Sequence, residues 1–473
     1  MSFGVAMFAL MAVWSLMTPL FSGPDEPSNF VRSAAVVRGE WVGDNVLPAP
    51  LKSYWTTLVD IDPQFGAANN IPWCFASFSD HPGCGSRLEE TQVTDIPAWT
   101  NMGRYPIVSY FISGVGTVFG AQDLSVRSAR LMMGLACTLL FALSVAVMRR
   151  RASSSIGVLL AMSPGTLFLA STMNPSALEV CAAIALWTIM PMVITKEHTR
   201  FDALAFGISG TLLILTRAIG PVIYVLIVAL SYVATEQRRS LVVIARQFKS
   251  VLAVHGAAAL FAAWWYLKIY GYQTNNLLSD GIPSISLRSQ IDEAVRHIPL
   301  LLDQAVGNFG WLDAPMPRVA LFVACALYFV IIAKGIVVGS AGVRIAMIAL
   351  CMSTIVVVII LDVNYYSLLR NFGSQGRHIV PLLVGLPIIA ASSFSWKREW
   401  EMTTVCVWGI VMIWAGLGAL RRYTVGINGD NAMEMFSDRA WSPVLGFWPT
   451  VMMLVLSTMA VVCLFPYSRR ANE

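Results

Sequence analysis

The chain is predicted to be an all-α integral membrane protein, a bundle of about twelve transmembrane helices forming one polytopic domain over residues 1–473. Two observations predict it. Of its 473 residues 56% are hydrophobic and 12% charged, about half the charged share of a soluble domain, and the mean hydropathy is +0.66. The apolar residues also gather into runs of about 20, the length a helix needs to cross a bilayer, rather than alternating as barrel strands do. The formal net charge of +5 resides in basic residues beside these runs, where they orient helices, so no nucleic-acid partner is implied.

Twelve such runs can be read, at 3–22, 126–148, 154–173, 175–195, 202–217, 218–235, 250–270, 318–337, 343–361, 378–395, 402–420 and 445–465. The first ends in "TPLFSGPDEP" without a basic lead-in or a small-residue cleavage site, and so reads as an uncleaved helix. Charge decides a thirteenth candidate, 105–121. Arg149–Arg151, Lys196 with Arg200, Arg238–Arg239, Lys397–Arg398 and Arg469–Arg470 all fall on one side with the N-terminus when there are twelve spans. Counting 105–121 as a span puts all of these clusters outside, against the charge rule, so it is read as a juxtamembrane or re-entrant segment. Both termini are then cytoplasmic. The outer face collects residues 23–125, the long first loop with juxtamembrane helices, together with 271–317, 362–377 and 421–444. Polar mass concentrated on one side points to work done there.

Six of the eight cysteines, Cys137, Cys181, Cys325, Cys351, Cys406 and Cys463, lie in apolar runs and read as small core residues. Cys74 and Cys84 sit in the outer loop, where a disulfide is the expected pairing. The competing metal site with His81 has fewer ligands than structural zinc takes, and no metal or other cofactor is expected. His198, His255 and His297 stand alone and read as structural. No dinucleotide, Walker, metalloprotease, nucleophile-elbow or kinase pattern occurs in a usable context.

Six short stretches carry candidate chemistry. In "PDEP" Asp25 and Glu26 follow the first run. Either Asp25 or Ser28 caps a helix over 28–38 with Pro27 in its first turn, or a carboxylate held between prolines at the membrane surface acts as a base. In "NMGRYPIVSYF" Arg104 precedes an aromatic, proline-broken segment; it either snorkels to lipid head groups or holds a phosphate. In "STMNPSALEV" Asn174–Pro175 turns the chain between two runs, and Glu179 one turn later needs a cavity or a partner in the bundle. Arg217 in "LTRAIGP" stands where the charge rule predicts no cation, which suggests an anionic ligand or an ion pair with Glu179 or Asp25. "GNFGWLDAPMP" offers Trp311 as a stacking face, and "RNFGSQGRHIVP" gathers Arg370, Arg377 and His378 at the start of a helix, a setting suited to anions. A substrate cavity is accordingly expected to draw on Tyr105, Asn174, Glu179, Trp311, Asp313 and Gln375.

Taken in order, "PDEP", "GRYP", "VRSARLMMG", "MNPSALE", "FGWLDAPMP" and "QGRHIVPLL" resemble a bacterial family of polytopic membrane proteins of unknown function, which itself resembles the GT-C superfamily of membrane glycosyltransferases. The resemblance implies a GT-C-like bundle and a polyprenyl-phosphate-linked sugar as donor, with a cell-envelope glycan or glycolipid as acceptor. It maps the acidic residue of the first loop, a catalytic base or acceptor-orienting group, onto Asp25, with Glu26 as the alternate. A basic residue of that loop maps onto Arg104, although this chain has "RYPI" where the superfamily has a lysine and two prolines. Arg104, Arg217, Arg370, Arg377 and His378 are then expected to hold the donor phosphate. The alternatives are a lipid-linked saccharide transporter or flippase, for which no internal repeat is seen, and a non-catalytic scaffold on the same fold.

Overall fold

Helices follow the apolar runs almost one for one. A computed structural model of the chain describes residues 2–45, 56–93, 97–195, 199–274, 284–427 and 432–467; Lys196, His198, Arg469 and Arg470, named above, lie outside them. The first run forms α1 (Ser2–Leu16) and stops short of Pro19, whose ring disfavours helical backbone at the residue before it.

Between α1 and the next run lies a folded segment. Its helix α2 (Glu26–Val37) has Pro27 in the first turn, and no side chain caps it. The short strand β1 (Thr57–Leu58) pairs antiparallel with β2 (Trp99–Thr100). A 3₁₀ stretch over Pro63–Cys74 starts at Asp62, whose carboxylate accepts the Gln64 N–H. Cys74 and Cys84 are disulfide-bonded, with Cα atoms 6.4 Å apart. Phe21 packs edge-on to Phe30, and Phe30 lies tilted against Phe65, ring centroids 5.5 and 5.6 Å apart; the three seed a small core of their own. Helix α3 (Val108–Gly114) continues as a 3₁₀ turn to Phe119, within the stretch expected to be juxtamembrane.

The bundle follows. Helix α4 (Asp123–Arg150) is long and continuous. The run 154–173 is broken into α5 (Ile156–Ala161) and α6 (Pro164–Ala170), because Pro164 opens a new first turn with Ser163 as its cap. Helix α7 (Pro175–Thr195) is apolar all round, and 94% of its apolar window is buried, as a helix without a polar face requires. It packs against α4 and against α8 (Arg200–Thr216) and α9 (Gly220–Ala234). Helix α10 (Leu241–Gln247) leads into α11 (Lys249–Trp265), which runs on through a π-turn to α12 (Gly271–Thr274).

One helix has no counterpart among the apolar runs. Helix α13 (Leu287–Gly307) is amphipathic, with Ala294, Leu301 and Ala305 turned inward; its apolar stripe is too narrow to register as a span. A tight hairpin, β3 (Asn308–Phe309) with β4 (Ala314–Pro315), joins it to α14 (Arg318–Val338). Only 17% of the apolar stretch of α14 is buried, so most of that helix is exposed on the outside of the bundle. Helix α15 (Ala341–Leu369) is followed by the broken pair α16 (Val380–Leu383) and α17 (Gly385–Ala391), then by α18 (Arg398–Thr424) and α19 (Phe447–Cys463). Among the described residues six helices are long and apolar enough to cross a membrane, namely α4, α7, Lys249–Thr274, α14, α15 and α18; the other apolar helices are shorter.

Candidate functional site

Two adjacent carboxylates part company at the start of α2. Asp25 has φ 60° and ψ 7°, a left-handed conformation that Asp tolerates better than most side chains, and it makes no cap hydrogen bond. Its carboxylate pairs with the Arg377 guanidinium, which also donates to the Pro24 carbonyl at 3.4 Å. The capping alternative for Asp25 is therefore not the one realised. Glu26 points the other way. It is fully buried, bonded to Arg130 and to the Gly23 and Met173 amides.

Arg130 in turn reaches the Ser15 and Pro19 carbonyls at 3.0 and 2.8 Å and the Thr18 hydroxyl at 3.2 Å. This one guanidinium shapes the turn that leads into Asp25. Nearby, the Trp311 indole donates to the Phe21 carbonyl at 3.0 Å.

Cations converge on Asp25 from three further segments. Arg104 donates to Tyr105 Oη at 3.0 Å and to the Asn101 carbonyl, while its own carbonyl accepts the Trp265 indole at 3.1 Å. Arg217, in the turn after α8, donates to the Ser176 hydroxyl and stands 3.9 Å above Glu179. The Tyr105 ring lies beside both guanidiniums, 4.5 Å from Arg104 and 5.4 Å from Arg217. Burial by itself would raise the Tyr105 phenol, but Arg104 and then Arg217, with the Arg104 hydrogen bond, outweigh it and hold the phenol below its ordinary value.

The loop between α15 and α16 brings Gln375, Arg377 and His378. It is held from behind: Asp362, buried in α15, accepts the Ser374 N–H at 3.0 Å, Gln304 accepts the Gly376 N–H at 2.8 Å, and His297 lies 3.4 Å from Asp362. Gly376 has no room for a side chain, since a Cβ there would stand 2.5 Å from the Leu301 carbonyl oxygen. His378 Nδ1 accepts the Gln375 N–H at 3.2 Å.

These groups line one cavity of about 170 Å³, room for a head group rather than for one water. Three guanidiniums, of Arg104, Arg217 and Arg377, face a single carboxylate, Asp25. Several of its lining residues carry buried polar atoms without a partner: Asn174 Nδ2, Arg377 Nε, Asn29 Oδ1, Asn101 Oδ1 and Gln375 Oε1. Native structures leave few such atoms, and concentrating them around one cavity suits a ligand rich in hydroxyl and anionic oxygens. Among the described residues no three His, Cys, Asp or Glu side chains converge as a metal set would.

Of the expected site residues the cavity unites Asp25, Arg104, Tyr105, Asn174, Arg217, Gln375, Arg377 and His378. Five others stand outside its lining. Glu26 belongs to Arg130, and Glu179 lies beneath Arg217. Arg370 ends α15 in a left-handed cap over Tyr366. Asp313 accepts the Trp311 N–H and pairs with Arg422, which also binds the Phe75, Phe78 and His81 carbonyls. Trp311 braces Phe21. Sequence reasoning missed Asn29, Asn101, Tyr110 and Tyr365, which also line the cavity; uncharged side chains in aromatic or helical surroundings carry no local signal. Arg130 was missed as well, although a cation within an apolar run is a signal that could have found it.

Residues 8–386 match the DUF2142 family, described as a predicted membrane protein. Similar solved structures include ArnT from Cupriavidus metallidurans bound to undecaprenyl phosphate, with 15% identity over 97% of this chain and 76% of that chain and a TM-score of 0.50. The apo state of the same ArnT gives 14% identity, the same coverage and a TM-score of 0.48. No curated protein matches the sequence. The likeness is one of fold, and the helical GT-C-like architecture implied by the motifs is the one this chain adopts.

Proposed function

The chain belongs to the DUF2142 family of predicted membrane proteins, and we propose that it transfers a sugar from a polyprenyl-phosphate donor to a cell-envelope acceptor on the extracytoplasmic side. The observation that carries this reading is the composition of one cavity: a single carboxylate, Asp25, ion-paired to Arg377, with Arg104 and Arg217 in the same lining. Asp25 takes the proton of the acceptor hydroxyl as that oxygen bonds to the anomeric carbon. The bond from that carbon to the phosphate oxygen breaks, its electrons leave with the polyprenyl phosphate, and the guanidiniums stabilise the charge. Because Arg377 holds Asp25 in the structure, an arriving phosphate competes for Arg377 and frees the base.

A path for the lipid supports the same reading. Gln375 and Arg377 also line a narrow cleft with Ala305 and Val380, and Ala305 and Val380 line an apolar groove of about 440 Å³ between α13, α14 and α16–α17. A chain of shared walls thus leads from the cations to a surface that suits a polyprenyl tail. The ArnT structure of like fold holds undecaprenyl phosphate, which agrees with this ligand class. The transporter alternative has no comparable support, since α7 fills the bundle behind the cavity with buried side chains.

The test is turnover of labelled polyprenyl-phosphate sugars by the purified full chain in lipid. Asp25→Asn is expected to retain the fold and donor binding and to lose transfer. Donor binding with no transfer by the wild-type chain to any envelope acceptor would end the transferase reading.

A further inference from the structure

The core helix α7 has polar cavities at both ends. Asn174 and Pro175, at its start, line the Asp25 cavity. Pro191, Met192 and Thr195, at its end, line another of about 380 Å³. A helix of this length separates its two ends by about 30 Å, and the side chains between are almost all buried. The second cavity is thus a separate place, not an extension of the first.

Its walls are polar in a way that a lipid-facing groove is not. Hydroxyls converge from five segments, among them Ser153 after α4, Ser231 in α9, Ser340 before α15 and Ser392 after α17. Ser231 is 3% exposed, and its hydroxyl has no partner; the buried Ser392 hydroxyl has none either. Buried hydroxyls are ordinarily bonded, so two orphans in one cavity wall point to a polar occupant.

Arg151 adds a cation. One of its Nη atoms donates to the Thr188 carbonyl at 3.3 Å and lies 3.6 Å from Met148 Sδ. No carboxylate among the described residues lies within ion-pair distance of it. Ser340 caps α15 by accepting the Val343 N–H at 3.3 Å, so the cavity also meets the positive end of a 29-residue helix. Glu236, the one acidic residue in the lining, is exposed.

We propose that this cavity is a second ligand site, for a phosphate-bearing head group, entered from the end of the bundle that carries Arg149, Arg150, Arg238 and Arg239. The charge rule makes that end cytoplasmic, opposite the proposed transfer site. Two sources share the chemistry, an anionic lipid of the inner leaflet and a soluble phosphomonoester. The site stands independently of the transferase reading, and its test reads binding, not turnover.

Full-length protein in zwitterionic nanodiscs is titrated with glycerol phosphate and followed by ³¹P NMR. In the second arm, nanodiscs doped with phosphatidylglycerol are examined by native mass spectrometry for retained lipid. An Arg217→Gln background weakens phosphate capture at the Asp25 cavity in both arms. Arg151→Gln is expected to weaken binding about ten-fold or more, the scale of one charge-assisted contact. Ser231→Ala, which costs the fold no hydrogen bond, is expected to weaken it about three-fold. Arg149→Gln and Arg238→Gln, at exposed cations outside the lining, change it less than about two-fold. Saturable, Arg151-dependent binding in either arm supports the site, and the responding arm names the source. No saturable binding in either arm overturns it, and so does an equal loss in the Arg149 and Arg238 variants.

Discussion

Glu26 and Arg130 form a two-pronged ion pair, Nε to Oε1 at 2.7 Å and Nη2 to Oε2 at 2.8 Å, with neither side chain more than 1% exposed. It ties α2 to α4 across 104 residues of sequence and leaves the neighbouring Asp25 as the carboxylate that faces the cavity.

This pair makes the first prediction a matter of stability. Removing one partner leaves the other charge buried alone, which costs about 3–5 kcal/mol. Glu26→Gln and Arg130→Met should each lower the thermal unfolding midpoint in detergent sharply. The double variant Glu26→Leu/Arg130→Met should recover much of the loss, because no unpaired charge remains. Single variants as stable as wild type would remove the pair from its structural role.

Asp25→Asn should behave in the opposite manner. Asp25 is about one-third exposed, so its ion pair contributes about 1 kcal/mol at most, and the unfolding midpoint should barely move. Transfer of labelled sugar should fall about 10²- to 10⁴-fold, the range of a general base. Wild-type-like turnover in Asp25→Asn would sink the assignment of the base.

The arginines should separate by position. Arg104→Lys and Arg217→Lys keep the charge but lose the fork that grips phosphate, and lipid-phosphate affinity should drop about 10- to 100-fold. Arg370→Lys, outside the cavity lining, should leave affinity within about two-fold. Equal losses at all three positions would mean that general surface charge, not the cavity, captures the donor.

Tyr105 supplies a pH signature. Arg104 and Arg217 overcome its burial and lower its phenol, so it ionises at lower pH than a free tyrosine. Tyrosinate would neutralise the guanidiniums proposed to hold the donor phosphate. Affinity for a lipid phosphate is then full below the depressed pKa and falls as pH rises through it. Tyr105→Phe should keep its affinity on the alkaline side, as measured by lipid-phosphate binding across pH. Identical alkaline limbs in the two proteins would exclude the role.

Much of the cavity was legible locally. Asp25, Arg104, Arg217 and Arg377 each stand at the end of an apolar run, where a charge is conspicuous because the lipid excludes it. Glu179 was as conspicuous, but conspicuousness reports only the need for a partner. Arg217 stands above it at 3.9 Å, and Arg217, not Glu179, lines the cavity. Trp311 and Asp313 misled for a related reason: the "GWLDAP" turn is rich in functional side chains, yet it spends them on Phe21 and Arg422. Helix α13 escaped notice because its apolar face is a stripe, not a run.

Composition and run length by themselves determined that the chain is a helical membrane protein and where most helices lie, because hydrophobic burial in a bilayer is decided over about 20 consecutive residues. The charges at the ends of the runs marked which loops line the cavity. Only the tertiary structure decided between the two carboxylates of "PDEP". That choice rests on a left-handed backbone at Asp25 and on Arg130 from α4, which claims Glu26; pairing between distant segments is written in no local pattern.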